Sequence, residues 1–187
     1  MPRAGPKPPL VLISGAPGSG KTTLGRRLAV ALRLPFLSKD ETFKEPLFDA
    51  LGTGDLSWGR ALGGASFELL AGTIRTLLES GTGVVAEANW WRGRSEPQLA
   101  PLCAMSRAAM IHLDCPADVA ERRYLSRAAA GGRHHGHLAA PHPYDDAREL
   151  FSPLLLPAPL LVVDSRSEYA PSYDQIESFV RGACEAP

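Results

Sequence analysis

Residues 15–22 read GAPGSGKT. The apolar run LVLI (10–13) leads into them, and the helical-looking TLGRRLAVAL (23–32) follows. That order decides the fold. A short apolar run bounded by a glycine-rich turn reads as a buried strand, and Leu24, Leu28 and Leu32 fall at i, i+4, i+8 on one helical face. Between strand and helix stands Gly15-x4-Gly20-Lys21-Thr22, the full phosphate-loop pattern in its proper setting. Glycines let backbone N–H groups turn inward around phosphate oxygens, and the helix start adds the positive end of its dipole. ATP or GTP is therefore expected across Gly15, Ala16, Pro17, Gly18, Ser19, Gly20, Lys21, Thr22 and Thr23. Lys21 would reach the β- and γ-phosphates, and the Thr22 hydroxyl would ligate Mg²⁺.

Working outward, FLS (36–38), GVVAEA (83–88), AAMIHLD (108–114) and PLLVVDS (159–165) repeat the strand signal. Helical patterns separate them: one starting near Asp40 and fading at LGTGDLSWG, one over 65–80 stopped by a Gly81 C-cap, one within 95–106, one over 117–130, and a closing helix with Tyr173, Ile176, Phe179 and Val180. Strands that are apolar throughout and alternate with helices predict a five-stranded parallel sheet covered on both faces, an α/β three-layer sandwich. At 187 residues the chain is expected to hold a single domain over 10–187, after a disordered, Pro-rich lead at 1–9.

Hydrophobic residues make up 44% and no apolar run reaches membrane-spanning length. The lead has no signal-peptide core, so a cytoplasmic protein is expected. Twenty basic residues balance twenty acidic ones, which argues against broad nucleic-acid binding. Cys103, Cys115 and Cys184 show no paired spacing and read as small buried residues rather than a disulfide or zinc framework.

The series LISGAPGSGKTTL, SKDETFKE, VVAEANW, RYLSRAAAGGRHHGH and LLVVDS spans nearly the whole chain. It resembles the P-loop kinase superfamily, which includes nucleoside, shikimate, gluconate and chloramphenicol kinases, polynucleotide 5′-kinase and zeta toxin. Within that group it is most similar to the small AAA family ATPase or predicted-kinase proteins. The resemblance implies that Asp40 accepts the proton of a substrate hydroxyl or orients it, a task that suits a carboxylate beside a reacting phosphate. Helix capping competes for the same stretch, since Ser38-x-x-Glu41 forms a capping box. Lys39 and Lys44 read as exposed helix charges. Glu87 is implied near the metal-bound water, acting through water because it is Glu rather than the usual Asp, with Asn89 and Arg92 toward the acceptor pocket. Trp90 and Trp91 are expected to pack a loop onto the core.

Arg123 and Arg127 share a helix face. The resemblance makes Arg127 and Arg133 phosphate-neutralising arginines in a lid over about 128–148, because the planar guanidinium grips phosphate oxygens bidentately. His134, His135, His137 and His142 lack recognised metal-ligand partners and read as lid or substrate-facing residues; the family pattern often has Pro where His135 stands. Ser165 and Arg166 are implied beside the nucleobase. Together these imply a kinase using ATP and Mg²⁺, with a small hydroxyl compound as acceptor and no membrane or nucleic-acid partner. A non-catalytic ATP-binding module and a nucleic-acid 5′-hydroxyl kinase are the competing readings. Neither the acceptor nor the oligomeric state is specified.

Overall fold

The computed structural model of the protein describes residues 5–51, 56–131, 134 and 149–185. Its elements in chain order are β1 (Pro9–Gly15), α1 (Lys21–Leu32), β2 (Phe36–Ser38), a π-helical turn (Lys39–Lys44) and α2 (Glu45–Leu51). A 3₁₀ turn (Leu56–Trp58), α3 (Gly59–Glu79), β3 (Val84–Glu87), α4 (Glu96–Met105), β4 (Arg107–Asp114), α5 (Ala117–Ala129), β5 (Leu160–Asp164) and α6 (Tyr173–Glu185) complete the described chain.

The five strands form one parallel sheet in the order β2-β3-β1-β4-β5. β1 lies at its centre, with Ile13 opposite both Glu87 and Ile111. Leu10, Val11, Leu12 and Ile13 are all buried, because helices cover both faces. Leu10 and Leu12 pack with Leu70, Ile74, Leu99 and Leu102 of α3 and α4. Val11 and Ile13 pack with Leu24 and Leu28 of α1 and Ile176 and Val180 of α6. The strand order turns back on either side of β1, so a crevice opens at the carboxyl ends of the central strands, where ligands bind in open α/β sheets. No helix among the described residues is long and apolar enough to cross a membrane.

Several local expectations need correction. The helix expected from Asp40 opens as a π turn. Its Ser38 cap accepts from the Glu41 N–H (3.3 Å), yet Glu41 does not complete the capping box: its carboxylate pairs with Arg26, and Thr42 Oγ1 takes the Ser38 N–H (3.0 Å). α3 begins at Gly59, not near residue 65, because buried Leu62 and Ser66, joined by a Ser66 Oγ–Leu62 O bond (2.6 Å), outweigh the weak propensity of its glycines. Its end is as expected: Gly81 takes φ 80°, and N–H groups of Gly81 and Thr82 close back on Leu78 and Leu77. At the N-terminus, Pro9 already lies in β1 and the Pro8 carbonyl accepts from Arg107 N–H (2.9 Å), so the chain is anchored before residue 10. Cys103 and Cys184 are buried, but Cys115 is half-exposed at the strand ends.

Candidate nucleotide and acceptor site

The phosphate loop leaves β1 at Gly15, turns through a Ser19 N–H to Ala16 O bond (3.1 Å), and enters α1 through Gly20. No acidic residue stands within the first turn of α1 itself. Gly18 has φ 82°, and a Cβ there would fall 2.2 Å from the Ala120 carbonyl oxygen, so the loop lies hard against α5. The Ser19 hydroxyl is buried without a partner, an orphaned polar group within the loop. Lys21 is buried, and its ammonium donates to Ala16 O (2.8 Å). Burial pushes the Lys21 pKa down, against the opposing pull of Glu87 and Asp40 and with help from Lys39 and Arg127.

Glu87 joins the two sides of the crevice. It ends β3, sits opposite Ile13 of β1 and Ser38 of β2, and is 5% exposed. Its Oε1 accepts from Thr22 Oγ1 (3.1 Å) and from Ser38 Oγ (2.5 Å). Burial raises its pKa, while Lys21 and the Ser38 and Thr22 hydroxyls favour the charged form. The Ser38 hydroxyl thus serves twice, donating to Glu87 and capping the turn that carries Asp40. Nothing local in SKDETFKE signals the Glu87 bond, which depends on strand register.

Asp40 is 37% exposed on that turn, and its Oδ1 lies 2.8 Å from Lys39 Nζ. Lys39, expected as a solvated charge, is instead 6% exposed, because its stem lies under α3 with its ammonium 4.9 Å from the centre of the Phe67 ring. Lys44 stands over the Phe48 ring (5.9 Å) rather than lying free in solvent. His134 Nε2 rests 3.0 Å from Asp49 Oδ1 of α2, with its ring tilted against Phe48. Arg133, His135, His137, His142 and nearly all of the expected lid lie outside the described residues. Among the described residues no cluster of three or more His, Cys, Asp or Glu could hold a metal ion.

A cleft of about 950 Å³ runs from Gly18–Gly20 between α5 and the segment after β5. Thr23, Arg127, Ser165 and Tyr169 are among its lining residues. Arg127 projects as an exposed cation at its wall. Arg123 points differently: its guanidinium donates to the carbonyls of Ser165 (2.8 Å) and Arg166 (3.0 Å), pinning the turn after β5 to α5. The backbone N–H groups of Ser165 and Arg166 are also engaged, with Asp114 O and Asp164 Oδ1. That turn therefore offers fewer free backbone groups to a nucleobase than the sequence alone suggests. Arg27 and Tyr173, stacked at 3.4 Å on the cleft's far side, carry no sequence signal for this place. On the β3 side Trp90 is 2% exposed in the core, Asn89 is half-buried, and exposed Arg92 ties to Leu150 O through its N–H (2.8 Å) and to Ser152 Oγ (3.4 Å).

The fold has counterparts among known proteins. The sequence model of a family described as an AAA domain matches residues 10–142. The crystal structure of a "putative kinase" from Chloroflexus aurantiacus is 36% identical, superposes with a TM-score of 0.83, and is matched over 95% of this chain and 98% of that one. A gluconokinase from Sinorhizobium meliloti (17% identity, TM-score 0.59, 97% and 96% covered) shares the fold. So does a shikimate kinase from Aquifex aeolicus (16% identity, TM-score 0.55, 95% and 99% covered). No curated protein matches the chain in sequence.

Proposed function

The chain belongs to the AAA domain family, matched over residues 10–142, and on that premise we propose that it is an ATP-dependent phosphotransferase that moves the γ-phosphoryl group to a hydroxyl of a small molecule. The junction at Glu87 carries the reading: one carboxylate oxygen accepts from Thr22 on the nucleotide side and from Ser38, two residues before Asp40, on the acceptor side. Similarity to the Chloroflexus aurantiacus "putative kinase" supports phosphoryl transfer. Gluconokinase and shikimate kinase, by their names, point to small hydroxyl-bearing acceptors.

The loop's residues fit a polyphosphate. The orphaned Ser19 hydroxyl, the side-chain-free surface at Gly18 and an ammonium resting on a backbone carbonyl are groups an anion would satisfy. Thr22 would hold Mg²⁺, with Glu87 behind it; once bound, the ion supplies charge neutralisation at the phosphate oxygens. Lys21 exchanges the Ala16 carbonyl for phosphate oxygens, and its burial strengthens that contact by excluding water. Arg127 at the cleft wall, together with Arg133, neutralises charge on the group in transit. Asp40 accepts the proton of the acceptor hydroxyl as its oxygen bonds to phosphorus and the bond to the β-phosphate oxygen breaks. Asn89 and Arg92 contact the acceptor, and Ser165 and Arg166 flank the nucleobase.

The test is ADP release from Mg·ATP across a panel of sugars, nucleosides, hydroxy acids and antibiotics. One class should accelerate release, and Asp40→Asn should cut that rate by roughly 10²–10⁴-fold. If no hydroxyl compound accelerates release and Asp40→Asn leaves basal turnover unchanged, the non-catalytic ATP-binding reading replaces this one.

A further inference from the structure

Lys39 and Asp40 are sequence neighbours, and on an ordinary α-helix adjacent side chains do not face each other. In the turn after Ser38 they nevertheless meet: Lys39 Nζ lies 2.8 Å from Asp40 Oδ1. The two are unequally placed. The Lys39 side chain is 8% exposed and Asp40 37%, so the cation is enclosed by the protein while the carboxylate stays partly open to solvent. Burying an ammonium costs several kcal/mol unless it is partnered. Lys39 has a carboxylate on one side and the Phe67 ring of α3 on the other. Its charge also pushes the Lys21 pKa down, after the larger effect of burial.

We propose that Lys39 is a positioning residue that keeps the Asp40 carboxylate ionised and aimed into the crevice for the acceptor proton. The inference rests on the reading of Asp40 as the base. Among the described residues, the charged groups near Asp40 include Lys39 on its own turn, Lys21 from α1 and Glu87 from β3. α3 presents the Phe67 ring, and on α2 Asp49 is engaged with His134. Lys39 lies in direct contact with Asp40, so the preference for the charged carboxylate falls most directly on it. A cation held against a carboxylate favours its charged form, so removing the cation is felt first on the acid side. The Phe67 ring of α3, 4.9 Å from the same ammonium, adds a second contact that holds it.

The experiment measures ADP release from Mg·ATP alone, with water as acceptor, in the whole protein across pH 4.5–9. Wild type is compared with Lys39→Gln, Lys39→Met, Lys39→Arg and Asp40→Asn. The two neutral variants should move the acidic limb up by about one pH unit, so their deficit against wild type widens as pH falls toward 4.5 and is smallest at pH 8. Lys39→Arg should keep the wild-type limb. In an Asp40→Asn background, Lys39→Gln should move nothing. Lys39→Gln keeps the length and a hydrogen-bond donor, so it carries the test if Lys39→Met does not fold. An unmoved limb in folded Lys39→Gln, or an equal shift in Lys39→Arg, overturns the inference while the base reading stands. Unchanged turnover in Asp40→Asn overturns both.

Discussion

Replacing Gly18 by Ala probes the phosphate loop with a single methyl group. Gly18 adopts φ 82°, which costs an L-residue about 1–2 kcal/mol. The new Cβ would also lie 2.2 Å from the Ala120 carbonyl oxygen and 3.3 Å from its Cα, both backbone atoms of α5 that no side-chain rotation can clear. Relieving such overpacking costs about 1–3 kcal/mol, for a total near 2–5 kcal/mol. For a domain of this size that is a fall in Tm of roughly 4–20 °C. Gly72→Ala is the matched control. Gly72 lies exposed within α3 and a Cβ there meets nothing within 4 Å, so the same methyl should stabilise by about 1 kcal/mol. Thermal denaturation by circular dichroism and titration with a fluorescent ATP analogue in Mg²⁺ report both effects. Gly18→Ala should lose nucleotide affinity along with stability, because the loop must move off α5. Unchanged Tm and affinity in Gly18→Ala would refute the reasoning, since the close approach to α5 would not then matter.

Three further outcomes are expected. Glu87→Gln keeps the shape but removes the charge behind Thr22, so half-saturating Mg²⁺ for turnover should rise about 10–100-fold; a wild-type Mg²⁺ titration would remove Glu87 from that position. Arg127→Ala should lower turnover by about 10²-fold with little change in Tm, because this exposed side chain contributes charge to the cleft rather than packing; an unaltered rate would strip it of that role. Burial pushes the Cys103 thiol up to about 11 from 9.0. The unfolded thiol therefore ionises first, and the contribution of Cys103 to stability is complete below pH 9 and lost as pH rises toward 11. Iodoacetamide at pH 8 should spare Cys103 in the folded protein and alkylate it in urea, as read by peptide mass; labelling in the native state would show that the site opens.

The readability of each part follows from the range of its interactions. The phosphate loop was legible because its constraints lie within eight residues: backbone conformations only glycine adopts easily, a lysine, and a hydroxyl at the helix start. Strands 10–14 and 108–114 were legible because burial on both faces demands unbroken apolar runs. Lys39 was misread because KDETFK carries four charges in six residues, and only the position of Phe67 on a distant helix shows which of them is covered. Arg123 and Arg127 share one helix face and diverge in role because the turn after β5 reaches one of them and not the other.

Read alone, the sequence settles the strand–loop–helix proposed to hold a triphosphate, the parallel α/β class, and the candidacy of Asp40 and Glu87. These rest on periodicity and on local backbone chemistry, which travel with the residues themselves. Only the tertiary structure brings Ser38 and Thr22 onto the same Glu87 oxygen, because that meeting depends on the register of β2 against β3 and the approach of α1 across β1. Only it sets Lys39 under α3 against Asp40, since burial of a charge is decided by what packs over it. The donor half of the site is written in consecutive residues; its connection to the acceptor half exists only where separate strands end side by side.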